Sequence, residues 1–347
     1  MMTFGSHEPR SGFAWRMWTF TKRLLAGAAV LLLVLALAGA VYQHSATLRD
    51  ARRFPPPGKI FTVAGHRLHS LVQGTGGPTV VFDSPVGASS FGWALVQPEV
   101  AKFTQTFAYD RAGYGWSDPG PQPRSSGRIV AELHELLQRA QVPKPYVLVG
   151  ASFGGCNVRL YAFRYPEEVA GVVLVDPAHE DQFIRSPSTK PSATPLRFFQ
   201  LASRLGIMRL AGLPVDIAGM NVLPPDLQRT ATAIGYRTSA VDALVAETAA
   251  IEESFTEVRL ARVSAGRTPL RDIPLIVLTH REETLPVGEE AVQYATWVDL
   301  HRELAGESTE GRQVIVEKSG HFIAVDRPAR VVEAIREVVE RSRKVSH

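Results

Sequence analysis

The chain has 347 residues, 45% apolar and 21% charged, proportions that exclude an intrinsically disordered protein and a polytopic membrane protein. Its single cysteine, Cys156, excludes an internal disulfide and a cysteine-rich metal module. The formal net charge of +4 belongs to residues 1–58, with seven Lys/Arg against two acids, so the rest carries −1 and lacks the basic footprint of a nucleic-acid binder.

Residues 24–41 contain only Leu, Ala, Val and Gly. As a helix this run spans ~27 Å, close to the hydrocarbon thickness of a bilayer. Arg16, Lys22 and Arg23 precede it, and Trp15, Trp18 and Tyr42 stand at its two ends, where interfacial aromatics belong. The expectation is an uncleaved single-pass anchor (24–42) behind a basic segment (1–23), with Lys22-Arg23 inside and the body extracytoplasmic. The alternative is a signal peptide cut at Ala36-Leu37-Ala38 or Ala38-Gly39-Ala40, releasing a secreted body. Residues 43–58, ending Arg52-Arg53-Phe54-Pro55-Pro56-Pro57-Gly58, read as a stiff proline-rich linker that lifts the body off the membrane.

Beyond residue 59, short apolar runs alternate with helical stretches. Strands are predicted at 60–63, 67–72, 79–82, 104–109, 146–149, 172–175, 275–279 and 313–317, the first two joined as a hairpin at Ala64-Gly65. Several later runs are apolar on both faces, as parallel strands covered by helices require. Ile129, Leu133, Leu136, Leu137 and Ala140 form one helical stripe, with Ser125 or Ser126 as cap; Val331, Val332, Ile335 and Val338 form another. Residues 183–268 break the alternation. Helical patterns near 196–210 and 240–262 are punctuated by Pro187, Pro191, Pro195, Pro214, Pro224 and Pro225, and the stretch is too long for one crossover. It reads as a helical cap between two parts of an α/β core, 59–182 and 269–347.

The sharpest motif is Gly150-Ala151-Ser152-Phe153-Gly154-Gly155, entered from a buried strand and left by a helix. That setting makes Gly-x-Ser-x-Gly a nucleophile elbow with Ser152 at the carboxyl edge of the sheet. A serine hydroxyl needs a base, and His321, in the loop between the last strand and the last helix, is placed to reach that edge. Two carboxylates compete to orient the imidazole. Asp176 ends the strand at 172–175, and Glu283 follows the strand at 275–279. Asp176 is favoured because a short side chain at a strand end is better fixed than a glutamate in Arg281-Glu282-Glu283-Thr284. An oxyanion needs two N–H donors; Phe153, after the nucleophile, supplies one, and Val86 in the loop after the strand at 79–82 is the candidate for the other.

Together these residues resemble the α/β-hydrolase superfamily over nearly all of residues 60–342. The resemblance includes Tyr109-Asp110-Arg111-Ala112-Gly113-Tyr114-Gly115-Trp116-Ser117, similar to the Asp-x-Arg-Gly-x-Gly-x-Ser segment of the esterase, epoxide-hydrolase and proline-iminopeptidase-like branch, and Gly320-His321 near the end. It implies an α/β fold with an eight-stranded, mostly parallel sheet, helices on both faces and an inserted helical cap. Relatives that open epoxides or carbon–halogen bonds carry Asp as nucleophile, so Ser152 points away from those chemistries. Departures are Ser84-Pro85-Val86 in place of a His-Gly oxyanion loop, and Glu rather than Asp after the seventh strand. Some relatives use the position of Asp176.

The sequence thus predicts a membrane-anchored serine hydrolase, a carboxylesterase or lipase-like enzyme acting on small or amphipathic esters. It implies no cofactor, metal, nucleic acid or protein partner. Within enzymes, the same residues suit a proline-iminopeptidase-like amidase or a cofactor-free haloperoxidase. Outside enzymes, the fold also serves as a ligand-binding or signalling module.

Overall fold

The computed structural model describes residues 11–213, 222–284 and 286–345. Residues 1–10 of the basic segment and Pro214 lie outside them. Eight strands, β1 (Lys59–Val63), β2 (His66–Gln73), β3 (Thr79–Asp83), β4 (Thr106–Tyr109), β5 (Tyr146–Ala151), β6 (Val169–Val175), β7 (Leu275–Arg281) and β8 (Gly311–Glu317), form one sheet in the order β1-β2-β4-β3-β5-β6-β7-β8. The β1–β2 and β2–β4 pairs are antiparallel and the others parallel. Each predicted strand falls within or overlaps one of these.

The helices among the described residues are α1 (Ser11–Arg53), α2 (Gln97–Val100), α3 (Ser126–Arg139), α4 (Phe153–Arg164), α5 (Gln182–Arg185), α6 (Ala193–Arg204), α7 (Ile207–Leu210), α8 (Pro225–Gly235), α9 (Thr238–Ala249), α10 (Ile251–Ala265), α11 (Glu289–Ala305), α12 (Ile323–Asp326) and α13 (Pro328–Val345). The two-residue period of β5 divides its side chains between two cores. Tyr146 and Leu148 join the Ile129, Leu133, Leu136 and Leu137 stripe of α3 and the inner face of α4. Val147, Val149 and Ala151 join Val331, Ile335 and Val338 of α13. Helices thus cover both faces, and the parallel strands deliver their carboxyl ends to a single edge.

Between β6 and β7 the helical patterns are interrupted twice. The pattern at 196–210 breaks at Gly206, whose φ of +68° closes α6 in a left-handed turn. The pattern at 240–262 breaks at Ala250, after which α10 turns down onto α3 and α4, burying Phe255 and Val258 in the sheet-facing core. That helix belongs to the layer covering the sheet, whereas α6 to α9 stand over the sheet edge.

The apolar run continues helically through residues 43–53, where the sequence suggested the start of a linker. The helix stops at Arg53 because Phe54, preceding Pro55, is pushed out of the α region. Its last turns lie along the body instead of holding it at a distance. Gln43 donates to the Tyr236 carbonyl at 2.6 Å, Arg209 pairs with Asp50, and the Trp116 indole donates to the Phe54 carbonyl at 2.9 Å. A Cβ on Gly39 would collide with the Leu205 carbonyl, so α1 and the α6–α7 turn meet backbone to backbone. Residues 24–35, by contrast, stand clear of the body and are exposed.

Candidate active site

The turn from β5 into α4 places Ser152 at φ 49° and ψ −120°, a strained backbone for a non-glycine residue. It is held from both sides: the Ser152 N–H donates to Val175, and its carbonyl accepts from Gly155 and Ala178. The glycines of the motif are required by contact. Side chains at Gly150, Gly154 and Gly155 would strike the Gly154 carbonyl, the Asp83 carbonyl and Pro177 respectively. The turn can therefore be this tight only without those Cβ atoms.

His321, between β8 and α12, lies with Nε2 3.0 Å from Ser152 Oγ and Nδ1 2.6 Å from Asp176 Oδ2. Since a carboxylate only accepts, the Nδ1 carries the proton and Nε2 is free to receive the serine hydroxyl. Asp176 follows β6 at φ 45° and is wholly buried. Glu283 is instead exposed and paired with Lys318 at 3.0 Å.

Asp176 receives four donors. The His280 and Trp297 N–H groups reach Oδ1, from backbone and indole at 2.9 and 3.3 Å; the Nδ1 atoms of His280 and His321 reach Oδ2. Burial alone would raise its pKa, but the hydrogen bonds from His280 and His321 outweigh it and hold the carboxyl far below the usual range. Burial likewise lowers His280, and the bond to Asp176 more than reverses this, leaving it above an ordinary histidine. Behind them His301 spans the Thr279 hydroxyl at 2.8 Å and the Pro177 carbonyl at 2.9 Å, fixing the ends of β6 and β7 together. Burial pushes His301 down to about 4, so it is neutral there. His280, Trp297 and His301 were not singled out from the sequence. The ligand atoms of Asp176, His280 and His321 all lie within 4.8 Å of one another, a spacing that suits a cation, although both Nδ1 protons already face the carboxylate.

The loop after β3 is pinned by the Asp110–Ser117 motif. Arg111 spends all five N–H groups: on Asp83 Oδ1 (2.7 Å), the Ser84 and Pro85 carbonyls (2.6 and 2.8 Å), and both oxygens of Glu247 on α9 (2.7 and 2.9 Å). Tyr114 Oη accepts from the Gly87 N–H at 3.1 Å and donates to Glu247. Asp110 accepts from the Ser90 and Trp116 N–H groups, and a Cβ on Gly115 would overlap that carboxylate. With Gly87 and Ala88 donating to Tyr114 and Pro85, the Val86 N–H has no acceptor among the described residues. Phe153 opens α4, so its N–H has no intrahelical acceptor either.

A small recess lined by Pro85, Trp93, His321 and Phe322 adjoins Ser152. From the same loop, Gly87 and Ser89 lead to an apolar chamber of about 220 Å³ under the cap, walled by Tyr114 and by side chains of α6 to α9.

This fold and this edge are those of the alpha/beta hydrolase family, whose model matches residues 71–334, and the chain belongs to that family. Among curated proteins, the uncharacterized protein YqjL of Bacillus subtilis is 27% identical over 281 residues, 81% of this chain and 91% of that one. The uncharacterized YbdG of the same organism is 23% identical over 195 residues, 56% of this chain and 60% of its own length. Among solved structures, the Cif epoxide hydrolase of Acinetobacter nosocomialis has a TM-score of 0.65 at 13% identity, covering 86% of this chain and 96% of that one. A thermophilic esterase of Thermogutta terrifontis has a TM-score of 0.56 at 17% identity, covering 82% and 99%. At these identities the likeness defines the fold and carries no statement about substrate.

Proposed function

We propose that the protein is a serine hydrolase of carboxylic esters, anchored to a membrane by α1. The observation that carries this reading is the unbroken chain from Ser152 Oγ through His321 to Asp176, with links of 3.0 and 2.6 Å. Ser152 Oγ attacks the ester carbonyl carbon as its proton passes to His321 Nε2, and the carbonyl electrons move onto oxygen. The Val86 and Phe153 N–H groups receive that oxyanion. On collapse the alkoxide leaves with the proton from His321, giving an acyl-Ser152 ester. Water, deprotonated by the same imidazole, then releases the acid and restores the serine. Asp176 stays ionised throughout and stabilises the imidazolium.

Nucleophile identity separates this reading from epoxide opening, because an alkyl ether on serine would offer water no carbonyl to attack. For α1, support comes from the exposed apolar run 24–35 and its basic, aromatic flank. The test is labelling of the full-length protein with a fluorophosphonate probe. Label on Ser152, absent in Ser152→Ala together with p-nitrophenyl ester turnover, supports the assignment; undiminished labelling of the variant refutes it.

A further inference from the structure

We propose that the outer face of α6 and α7 is a lipid-binding surface, seated in the interfacial layer of the bilayer that α1 enters, and that the chamber behind it takes an acyl chain from that lipid. The inference rests on the anchored-hydrolase reading and extends it with a second membrane contact and a source of substrate.

Height is the first argument. The α6–α7 turn touches α1 at Gly39 and Tyr42, through Leu205 and Gly206. Those α1 residues close the apolar run, so the turn is fixed where that run leaves the hydrocarbon. Leu201 is one helical turn from Leu205 and Phe198 two, within about 10 Å.

Composition is the second. Phe198, Leu201, Ile207 and Leu210 are 75%, 57%, 47% and 65% exposed, an apolar surface next to the membrane-entry point. On their inner side the same helices turn Leu196, Phe199 and Met208 into the chamber. Segments apolar on both sides need apolar surroundings on both, and the protein supplies only one. Arg197 is exposed along α6, where headgroup phosphates would lie, while Arg204 pairs with Asp242 of α9 at 3.0 Å. The two helices then form a single layer between lipid and chamber, and Gly87 joins that chamber to the loop carrying Val86.

The test uses full-length protein reconstituted in phosphatidylcholine vesicles, with an environment-sensitive fluorophore on Phe198→Cys, Leu201→Cys, Leu31→Cys or Glu333→Cys. Cys156 does not compete, because it is buried and its thiol is pushed up to about 12. Nitroxide-labelled lipid is expected to quench positions 198, 201 and 31 and to spare 333 on α13, which packs against the sheet. Quenching at 31 without quenching at 198 and 201 overturns the surface while leaving the anchor. No quenching at 31 overturns both. In a second measurement, Phe198→Glu with Leu201→Glu should reduce hydrolysis of a long-chain ester held in vesicles by about tenfold, with a short soluble ester unaffected. An equal loss on both esters overturns the lipid-borne substrate.

Discussion

His280 and His321 donate to the same oxygen of Asp176, at 2.8 and 2.6 Å. The carboxylate is thereby shared between an imidazole that faces Ser152 and one that does not. On the proposed mechanism, what His280 draws from Asp176 is unavailable to the imidazolium formed on His321.

His280→Phe keeps a ring and the backbone N–H while removing that competing donor. In the variant Asp176 Oδ2 serves His321 alone, so on the proposed mechanism kcat is expected to rise by up to about tenfold, the equivalent of ~1.4 kcal/mol. KM should hardly change. An unchanged kcat would make His280 a packing residue only.

Asp176→Asn keeps the side-chain volume but turns an acceptor into a donor against His321, favouring the wrong tautomer; kcat should fall about 10⁴-fold. Glu283→Gln, exposed and paired with Lys318, should leave kcat within about twofold. Steady-state kinetics on one activated ester compares the two, and the reverse ranking would move the acid to Glu283.

Arg111→Lys retains the charge and loses the planar fork that holds Ser84, Pro85 and Glu247 at once. Release of the loop should displace the proposed Val86 donor and lower kcat by roughly 10- to 100-fold, approaching the loss of an oxyanion donor. Tm should drop by about 5–10 °C as a buried network is broken. A fall in Tm with kcat intact would confine Arg111 to stability.

Burial pushes both His301 and His179 down to about 4. Unfolded histidine binds its proton near ~6.5, so between those values the unfolded chain holds more protons and stability falls as pH falls. Their contribution is complete above ~6.5 and lost towards 4; that of Asp176, depressed much further, is present above ~3.9 and lost below it. Calorimetric Tm should decline by on the order of 10 °C between pH 7 and 4. His301→Gln should flatten that decline, and an unchanged slope would show that His301 does not titrate on unfolding.

Local patterns made much of this legible. The strands declared themselves as apolar runs, and the elbow by glycines at Gly150, Gly154 and Gly155 that the turn cannot replace. Ser152 and His321 were nameable because each lies just beyond a strand end, at the edge where all parallel strands finish. His280 also lies at a strand end, yet its bond to Asp176 crosses 104 residues, and Glu247 meets Arg111 across 136. Such pairings exist only once β6 lies beside β7 and α9 is packed over the loop. The break at Ala250 has no glycine or proline to announce it, and the helix over 43–53 ran through a segment whose prolines begin only at Pro55. Its polar side chains found partners on the body, an outcome no period in the sequence records.

The continuity of α1 has a mechanical consequence. A helix that runs unbroken from Ser11 to Arg53, clamped along its last turns by Gln43, Asp50 and the carbonyl of Phe54, has no hinge. On the proposed anchoring, the body can neither swing on a tether nor reach into the bulk phase. It keeps one tilt above the bilayer plane, and its search for a lipid-borne substrate reduces to two-dimensional diffusion.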